Sequence, residues 1–195
     1  MAPAQDTAED AALPRPLLVG LLGAECTGKS TLAKDLADSL APEFSVEIAA
    51  EALRDFVRQG GRAPSRGEQA GVMAAQLDNE RAASQRVSGS PPRVITICDP
   101  CALMTAIYSL AYFDDGSLFA SALDHQLRYD VVFWCQSDFP WEPDPGQRDG
   151  PVRRAQVEAL IADTVTRHQL STVRVHGPRA ARLSQALAAI HGAKR

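Results

Sequence analysis

The sequence predicts a three-layer α/β domain, in which a parallel sheet of about five strands carries helices on both faces. Short apolar runs of strand length alternate with longer segments of helical periodicity along the chain. The 195 residues are 45% hydrophobic and 23% charged, which supplies a full core and excludes a disordered chain. We expect a flexible N-terminal tail over residues 1–15 and a single domain over residues 16–195.

The first strand and the first helix have the clearest patterns. The run Leu17–Leu22 is short, apolar and bounded by proline and glycine, as expected for a strand buried on both faces. From Lys29 onward the period becomes helical, with one apolar stripe that ends before Pro42 and consists of Leu32, Leu36 and Leu40.

The same alternation continues to the end of the chain. Further strands are expected at Phe44–Ala50, Arg93–Asp99, Tyr129–Cys135 and Ser171–Val175. Helices are expected at Glu51–Gln59, Glu68–Val87, Ala102–Ala111, after Pro151 and around Leu183–Ile190. Strands joined through helices imply right-handed crossovers and a parallel sheet.

A phosphate-binding motif lies between the first strand and the first helix. It matches G-x-x-x-x-G-K-[ST] without a mismatch, and we call it the phosphate loop: Gly23, Ala24, Glu25, Cys26, Thr27, Gly28, Lys29, Ser30 and Thr31. Its glycines let backbone N–H groups point inward, and the helix N-terminus adds a partial positive charge. The motif predicts a P-loop NTPase fold.

ATP and Mg²⁺ are the expected cofactors of this loop. Lys29 is expected to reach the β- and γ-phosphates, Ser30 to place its hydroxyl on Mg²⁺, and Thr31 to contact a neighbouring phosphate oxygen. The guanine-specific N-K-x-D motif is absent from the chain, which disfavours a switch GTPase.

Two carboxylates are predicted at the edge of the sheet where the phosphate loop lies. Asp99 ends a strand and is a candidate for holding Mg²⁺ through water or for accepting a hydroxyl proton; the alternative is a helix cap before Pro100. Glu51 follows another strand and is a candidate to polarise the acceptor hydroxyl, with Arg54 gripping a substrate oxygen. The alternative for this pair is an ordinary surface ion pair at the start of a helix.

A Pro-rich loop, Ser137–Gly150, is expected to act as a lid beside the phosphate site. In it, Arg148 is a candidate to stabilise charge on the transferring phosphoryl group, and Trp141 to stack on a substrate ring. The alternatives are a solvated arginine and a tryptophan that only covers the sheet edge.

Net charge and targeting signals exclude several other functions. A net charge of −4 with interspersed charges disfavours nucleic-acid binding. No apolar run near the start approaches the roughly 20 residues of a membrane span. Met1–Ala12 contains no Lys or Arg, so we expect no signal peptide and a cytoplasmic location. Oligomeric state is left open.

Metal-ligand patterns are weak in this sequence. Cys98 and Cys101 form a lone CxxC, which predicts buried thiols and no zinc site, and the four histidines lack ligand spacing. Arg179 and Arg182 are interpreted as a solvated helix face.

Five segments together resemble the NadR-type ribosylnicotinamide kinase domain and its stand-alone P-loop relatives: Gly23–Thr31, Glu51–Phe56, Ile97–Asp99, Thr105–Ser109 and Trp141–Asp149. The resemblance runs from about Leu17 to the C-terminus. It implies a P-loop kinase sheet with a lid, in which ATP phosphorylates the ribose 5′-hydroxyl of nicotinamide riboside.

The resemblance also implies roles for individual residues. Lys29 and Ser30 would bind nucleotide and Mg²⁺, Glu51 and Asp99 would lie at the acceptor, and Arg148 would belong to the lid. The expected partner is a small-molecule nucleoside. Two alternatives stay open: a P-loop kinase for a different small acceptor, and an ATP-binding regulatory module that signals to a partner.

Overall fold

A computed structural model describes residues 15–86, 94–142 and 150–193 of the chain. The strands are β1 (Leu17–Leu22), β2 (Ser45–Ala49), β3 (Val94–Cys98), β4 (Val131–Cys135) and β5 (Val173–Val175). The helices are α1 (Lys29–Leu40), α2 (Ala52–Gly60), α3 (Gln69–Gln85), α4 (Leu103–Phe113), α5 (Phe119–Gln126), α6 (Pro151–Arg167) and α7 (Arg179–Ala193).

The five strands form one parallel sheet in the order β2-β3-β1-β4-β5. This confirms the predicted sheet. Because β3 pairs with both β2 and β1, the carboxyl ends of these three strands lie side by side at one edge. The segments that follow them carry the phosphate loop and both candidate carboxylates, so the strand order brings these groups to the same crevice.

Side chains that alternate along the strands supply two apolar layers, one on each face of the sheet. Val19 and Leu21 of β1 pack with α1 and α7, where Leu36 and Ile190 are fully buried. Leu22 of β1 packs in the other cluster, which is built largely from α3, α4, α5 and α6. Helices therefore cover both faces, as the sequence pattern predicts.

One α-helix in the described part of the chain was not predicted. The eight-residue α5 lies between α4 and β4, and its buried residues are Ala122 and Gln126. A helix this short presents barely two turns, so its apolar stripe is too brief to stand out from the flanking loop. The other helices and all strands lie within a few residues of their predicted positions.

Two predicted segments lie partly or wholly outside the described residues. The expected N-terminal tail falls almost entirely on residues 1–14, and the centre of the expected lid falls on residues 143–149. Within the described ranges, every helix is too short or too polar to cross a lipid bilayer.

Candidate functional site

The two glycines of the phosphate loop have backbone conformations that other residues rarely adopt. Gly23 has φ of 151°, and a Cβ placed on it would lie 2.8 Å from both the Cys135 carbonyl oxygen and Thr27 Oγ1. Gly28 has φ of 77° and immediately precedes α1; its Cβ would lie 3.2 Å from the Phe139 ring. The loop can therefore curl tightly onto the start of α1 only with glycine at both positions.

Lys29 lies folded across this loop. Its Nζ donates hydrogen bonds to the carbonyl oxygens of Gly23 (2.8 Å) and Ala24 (2.6 Å). No side chain caps the N-terminus of α1, and its first turn contains no acidic residue. The first-turn N–H groups and the lysine ammonium thus concentrate positive charge where the motif predicts phosphates.

Ser30 and Thr31 occupy the first turn of α1 behind Lys29. Ser30 is partly buried, whereas Thr31 is exposed. The hydroxyl of Ser30 and the carboxylate of Asp99 are oxygen donors of the kind Mg²⁺ prefers. Among the described residues no three His, Cys, Asp or Glu side chains form a metal site by themselves. These donors fit an ion that takes its other ligands from nucleotide phosphates and water.

Arg182 braces the phosphate loop from α7, contrary to the expected solvated helix face. The residue is only 3% exposed. Its guanidinium donates to three backbone carbonyls, those of Thr27 (3.0 Å), Gln136 (2.9 Å) and Gly177 (2.8 Å). It also pairs with Asp138 and stacks 4.2 Å from the Phe139 ring centre.

The interpretation of Arg182 as a solvated residue was therefore wrong. Three carbonyl oxygens and one carboxylate take the place of water around the guanidinium, which makes burial of its charge possible. Burial nevertheless lowers the pKa of Arg182. Arg179, one turn earlier, fits the solvated interpretation: its side chain is 73% exposed and pairs with Asp35.

Glu158 contacts the phosphate loop from α6 and was missed at the sequence level. Its carboxylate accepts a hydrogen bond from the Ala24 N–H at 3.0 Å. Burial raises its pKa, while this hydrogen bond and the charge of Lys29 act in the opposite direction. A glutamate in the middle of an amphipathic helix has no local signature, so only the packing of α6 against the loop reveals it.

Glu51 and Asp99 lie beyond the ends of the adjacent strands β2 and β3, as predicted. Glu51 is the N-terminal flanking residue of α2, and its side chain is 23% exposed. Burial raises the pKa of Glu51; the charges of Arg54 and Lys29 lower it, and that of Asp99 raises it further. The structure thus brings Glu51, Asp99 and Lys29 into one electrostatic environment.

Arg54 pairs with Glu51 through a 3.1 Å contact between Nη2 and Oε2. The pair has i,i+3 spacing, and the Arg54 side chain is 59% exposed. Such a pair contributes little stability. The guanidinium nevertheless lies beside the candidate acceptor carboxylate, so the ion pair and the substrate-binding role are compatible.

Tyr108 of α4 faces the same cleft. Burial raises its pKa, and the carboxylates of Glu51, Glu25 and Glu158 act in the same direction. The charge of Asp99 acts in turn on Glu51, so carboxylates from four different chain segments lie near one another here. The described cations that act on Glu51 and Glu158 are Lys29, Arg54 and Arg154.

Trp141 lies against the phosphate loop. Its indole Nε1 donates to Glu25 Oε1 at 2.8 Å, which links the start of the expected lid to the loop. Stacking of Trp141 on a substrate ring stays a prediction. The predicted lid residue Arg148 lies outside the described residues.

Gln76 and Glu80 of α3 were also missed as site residues, although the sequence holds a signal for them. Both are 2% exposed. They continue an i,i+4 row that begins at the buried Val72, so polar side chains occupy apolar stripe positions. A polar residue on a buried stripe must find partners inside the protein.

The cysteines behave as buried thiols, as predicted. Cys98, Cys101 and Cys135 are fully buried, and burial raises the pKa of both Cys101 and Cys135 to about 12. Thiols held protonated in this way are poor nucleophiles and poor metal ligands.

One protein family model matches the chain over most of its length. The family model described as "AAA domain" matches residues 18–182. The chain belongs to this AAA domain family. No curated protein matches it significantly.

Solved structures place the AAA domain among P-loop kinase folds. It is similar to NadR in complex with NAD and AMP-PNP, with a TM-score of 0.67 and 16% identity over 91% of this chain and 49% of that one. The chain thus spans about half the length of the NadR chain. A thymidylate kinase from Candida albicans gives a TM-score of 0.63 and 14% identity, covering 92% and 93%.

A deoxyadenosine kinase from M. mycoides is similar to the same extent, with a TM-score of 0.63 and 11% identity, covering 90% of this chain and 99% of that one. At these identities the similarity establishes the fold of the AAA domain. The function of its site has to be argued from its own residues.

Proposed function

We propose that the protein transfers the γ-phosphoryl group of ATP to the 5′-hydroxyl of a nucleoside, with nicotinamide riboside as the expected acceptor. The observation that carries the proposal is that the phosphate loop with Lys29 opens on the sheet edge that holds Glu51 and Asp99. The solved structures of NadR with NAD and AMP-PNP and of NadR with NR, which share this fold, support it.

The phosphate loop would hold the nucleotide. Its inward N–H groups and the N-terminus of α1 would bind the β- and γ-phosphates, and Lys29 would leave the carbonyls of Gly23 and Ala24 to pair with them. Ser30 and Asp99 would hold Mg²⁺, which supplies charge neutralisation on the phosphates when bound. We assign the cofactors ATP and Mg²⁺ on this basis.

Glu51 is proposed as the general base for the acceptor hydroxyl. Its carboxylate would take the proton as the hydroxyl oxygen forms a bond to the γ-phosphorus and the bond to the leaving ADP oxygen breaks. Burial raises the pKa of Glu51, which makes its carboxylate a stronger base than an exposed one. Arg54 would align both the carboxylate and a substrate oxygen.

The acidic cleft indicates the charge of the acceptor. The four carboxylates Glu25, Glu51, Asp99 and Glu158 outnumber the described cations that act on them, Lys29, Arg54 and Arg154, and we assign Lys29 to ATP. A nucleoside monophosphate would bring its own negative charge into this cleft at a cost. A neutral nucleoside would enter without that repulsion, and nicotinamide riboside, whose pyridinium ring is cationic, would be attracted.

The decisive experiment measures ADP release from ATP and Mg²⁺ with each of three acceptor classes: nicotinamide riboside, neutral nucleosides and nucleoside monophosphates. We expect nicotinamide riboside to accelerate ADP release most and the monophosphates to have no effect. Preference for a monophosphate would contradict the acceptor assignment. Slow hydrolysis that no acceptor accelerates would instead favour the regulatory module.

Thermal shifts across the same panel provide an independent measurement. A ligand that binds only the folded protein stabilises it by RT ln(1 + [L]/Kd), about 2.7 kcal/mol at 100 times Kd. We expect ATP with Mg²⁺ to raise the melting temperature, and nicotinamide riboside to raise it further. If no nucleoside raised the melting temperature, the proposed acceptor site would be contradicted.

A further inference from the structure

Gln76 lies buried between the two segments that carry the candidate catalytic carboxylates. Its Oε1 accepts a hydrogen bond from the Ala52 N–H at 3.0 Å, and its Nε2 donates to the Pro100 carbonyl oxygen at 3.1 Å. Ala52 follows Glu51 directly, and Pro100 follows Asp99. One side chain on α3 therefore holds the backbone next to both carboxylates.

The orientation of this amide is determined by its partners. The Ala52 N–H can only donate and the Pro100 carbonyl can only accept, so a flipped amide would lose both hydrogen bonds. Gln76 is 2% exposed, and water is not available to replace either bond. The side chain thus acts as a rigid bracket of defined length.

Glu80, one helical turn further along α3, supports the bracket. Its carboxylate accepts from Tyr129 Oη (2.9 Å) and lies 2.7 Å from His125 Nε2 and 3.4 Å from Gln76 Nε2. Tyr129 in turn accepts from the Ala102 N–H at 3.1 Å, at the start of α4. The network ties α3, α4 and α5 to the end of β3, so the bracket is anchored on several elements.

We propose that Gln76 is a positioning residue that sets the spacing between Glu51 and Asp99, with Glu80 holding its amide in place. This inference rests on the proposed function, because the spacing matters for a phosphoryl transfer that uses both carboxylates. Gln76 acts through the backbone at Ala52 and Pro100, which distinguishes it from the groups proposed to touch substrate.

The first test replaces Gln76→Met, which keeps the length and volume of the side chain but removes both hydrogen bonds. We expect kcat to fall by about 10- to 100-fold, since misplacement by about 1 Å can cost that much. The KM for ATP should change less than kcat, because the hydrogen bonds of Gln76 go to Ala52, Pro100 and Glu80, outside the phosphate loop.

Gln126→Met is the matched control. Gln126 is also a buried glutamine, on α5, and neither its Oε1 nor its Nε2 has a hydrogen-bond partner among the described residues. Its replacement should leave kcat unchanged. If the role of Gln76 were purely structural, Gln76→Met would have a lower melting temperature, but its kcat would not differ from that of Gln126→Met.

A second variant keeps the proposal testable if Gln76→Met does not fold. Gln76→Asn keeps the amide donor and acceptor but is one methylene shorter, so it cannot hold the Ala52 N–H and the Pro100 carbonyl oxygen at the same time. We expect its kcat to lie between those of the wild type and Gln76→Met. Wild-type kcat in both variants would overturn the proposal.

Crystal structures of the wild type and the Gln76 variants separate this proposal from the proposed function. We expect the distance between the Cα atoms of Glu51 and Asp99 to change in the variants but not in Gln126→Met. An unchanged distance would overturn the bracket whatever the activity. A wild type without acceptor-dependent ADP release would overturn the proposed function, while the distance still decides whether the bracket exists.

Discussion

Lys29 shows how one side chain serves the loop before any nucleotide is bound. Its ammonium donates to the carbonyls of Gly23 and Ala24, so its charge is already held against the loop. A nucleotide phosphate would replace these carbonyls as partner without moving the backbone far. Because charge-assisted hydrogen bonds are strong, we expect activity to be more sensitive to substitution of Lys29 than to substitution of any other residue of the loop.

Lys29→Ala should lower acceptor-dependent phosphoryl transfer by at least about 100-fold, because one preorganised donor to developing charge is worth that much or more. Its circular dichroism spectrum should stay that of the wild type. Lys34→Ala, an exposed change on the same helix, should retain activity. Full ATP-dependent activity in Lys29→Ala would contradict the assignment of the phosphate loop.

The raised pKa of Glu51 predicts the pH dependence of turnover. Because the proposed base, Glu51, must be ionised to accept a proton, kcat of the wild type should rise as pH increases through the raised carboxyl pKa. Glu51→Gln should lose about 100-fold in kcat and show no such rise. A pH profile of kcat for both proteins checks this, and the same rise in the variant would assign the titration to another group.

The same shift has a consequence for stability. The folded pKa of Glu51 lies above the unfolded value, so the folded protein binds this proton more tightly. Stability contributed by the neutral form is therefore lost as pH rises from the ordinary carboxyl range through the raised pKa. Melting temperatures should show Glu51→Gln gaining on the wild type over that interval, and a constant difference would contradict it.

Among the elements, α7 has one face that serves the phosphate loop and another that meets solvent. Arg182 connects α7 to the loop, to the residues after β4 and to the residues after β5. Arg179, three residues earlier, has a 73% exposed side chain that pairs with the largely buried Asp35. The effects of substituting these two arginines can therefore be compared within one helix.

Arg182→Met should destabilise the protein by about 3 kcal/mol, because it leaves buried carbonyls and a carboxylate without their cation. It should also raise the KM for ATP, since Thr27 of the phosphate loop loses a support. Arg179→Met should cost less, because Arg179 is 73% exposed and its loss leaves one carboxylate unpaired, whereas loss of Arg182 leaves three carbonyls and a carboxylate. Urea denaturation of both variants measures the difference, and equal losses would mean that Arg182 is not a brace.

At the scale of the whole molecule, one sheet lies between two apolar layers, and both layers pack against it. Ile161 of α6 is fully buried on one face and Ile190 of α7 on the other. Both layers pack on the same strands, so neither can unfold alone without exposing the sheet. We therefore propose that the single domain expected over residues 16–195 unfolds cooperatively.

Ile161→Ala and Ile190→Ala test this on opposite faces. Each should cost about 2–5 kcal/mol through lost burial and the cavity left behind. Unfolding followed by tryptophan fluorescence and by far-ultraviolet circular dichroism should give one coincident transition in each variant. Two separate transitions would show that the faces belong to independently folding units.

Features that depend on local sequence were predictable, and features that depend on long-range contacts were not. The strands and most helices were predictable because apolar periodicity is a local property. The helix α5 was not, because its stripe is too short. Arg182 and Glu158 were not identified as site residues, because a polar side chain has the same sequence pattern whether it meets water or a buried backbone group. Gln76 lies on a buried helical stripe, but that pattern does not reveal which groups it bonds.

The phosphate loop can be identified from its amino acids alone. Its requirements, two glycines of positive φ, a lysine and the start of a helix, are met within nine consecutive residues. The polar groups that hold the site become visible in the folded protein alone: Glu158 and Arg182 bond the phosphate loop, and Gln76 bonds the backbone beside the two carboxylates. The physical reason is that burying a polar group depends on partners that long-range packing brings together.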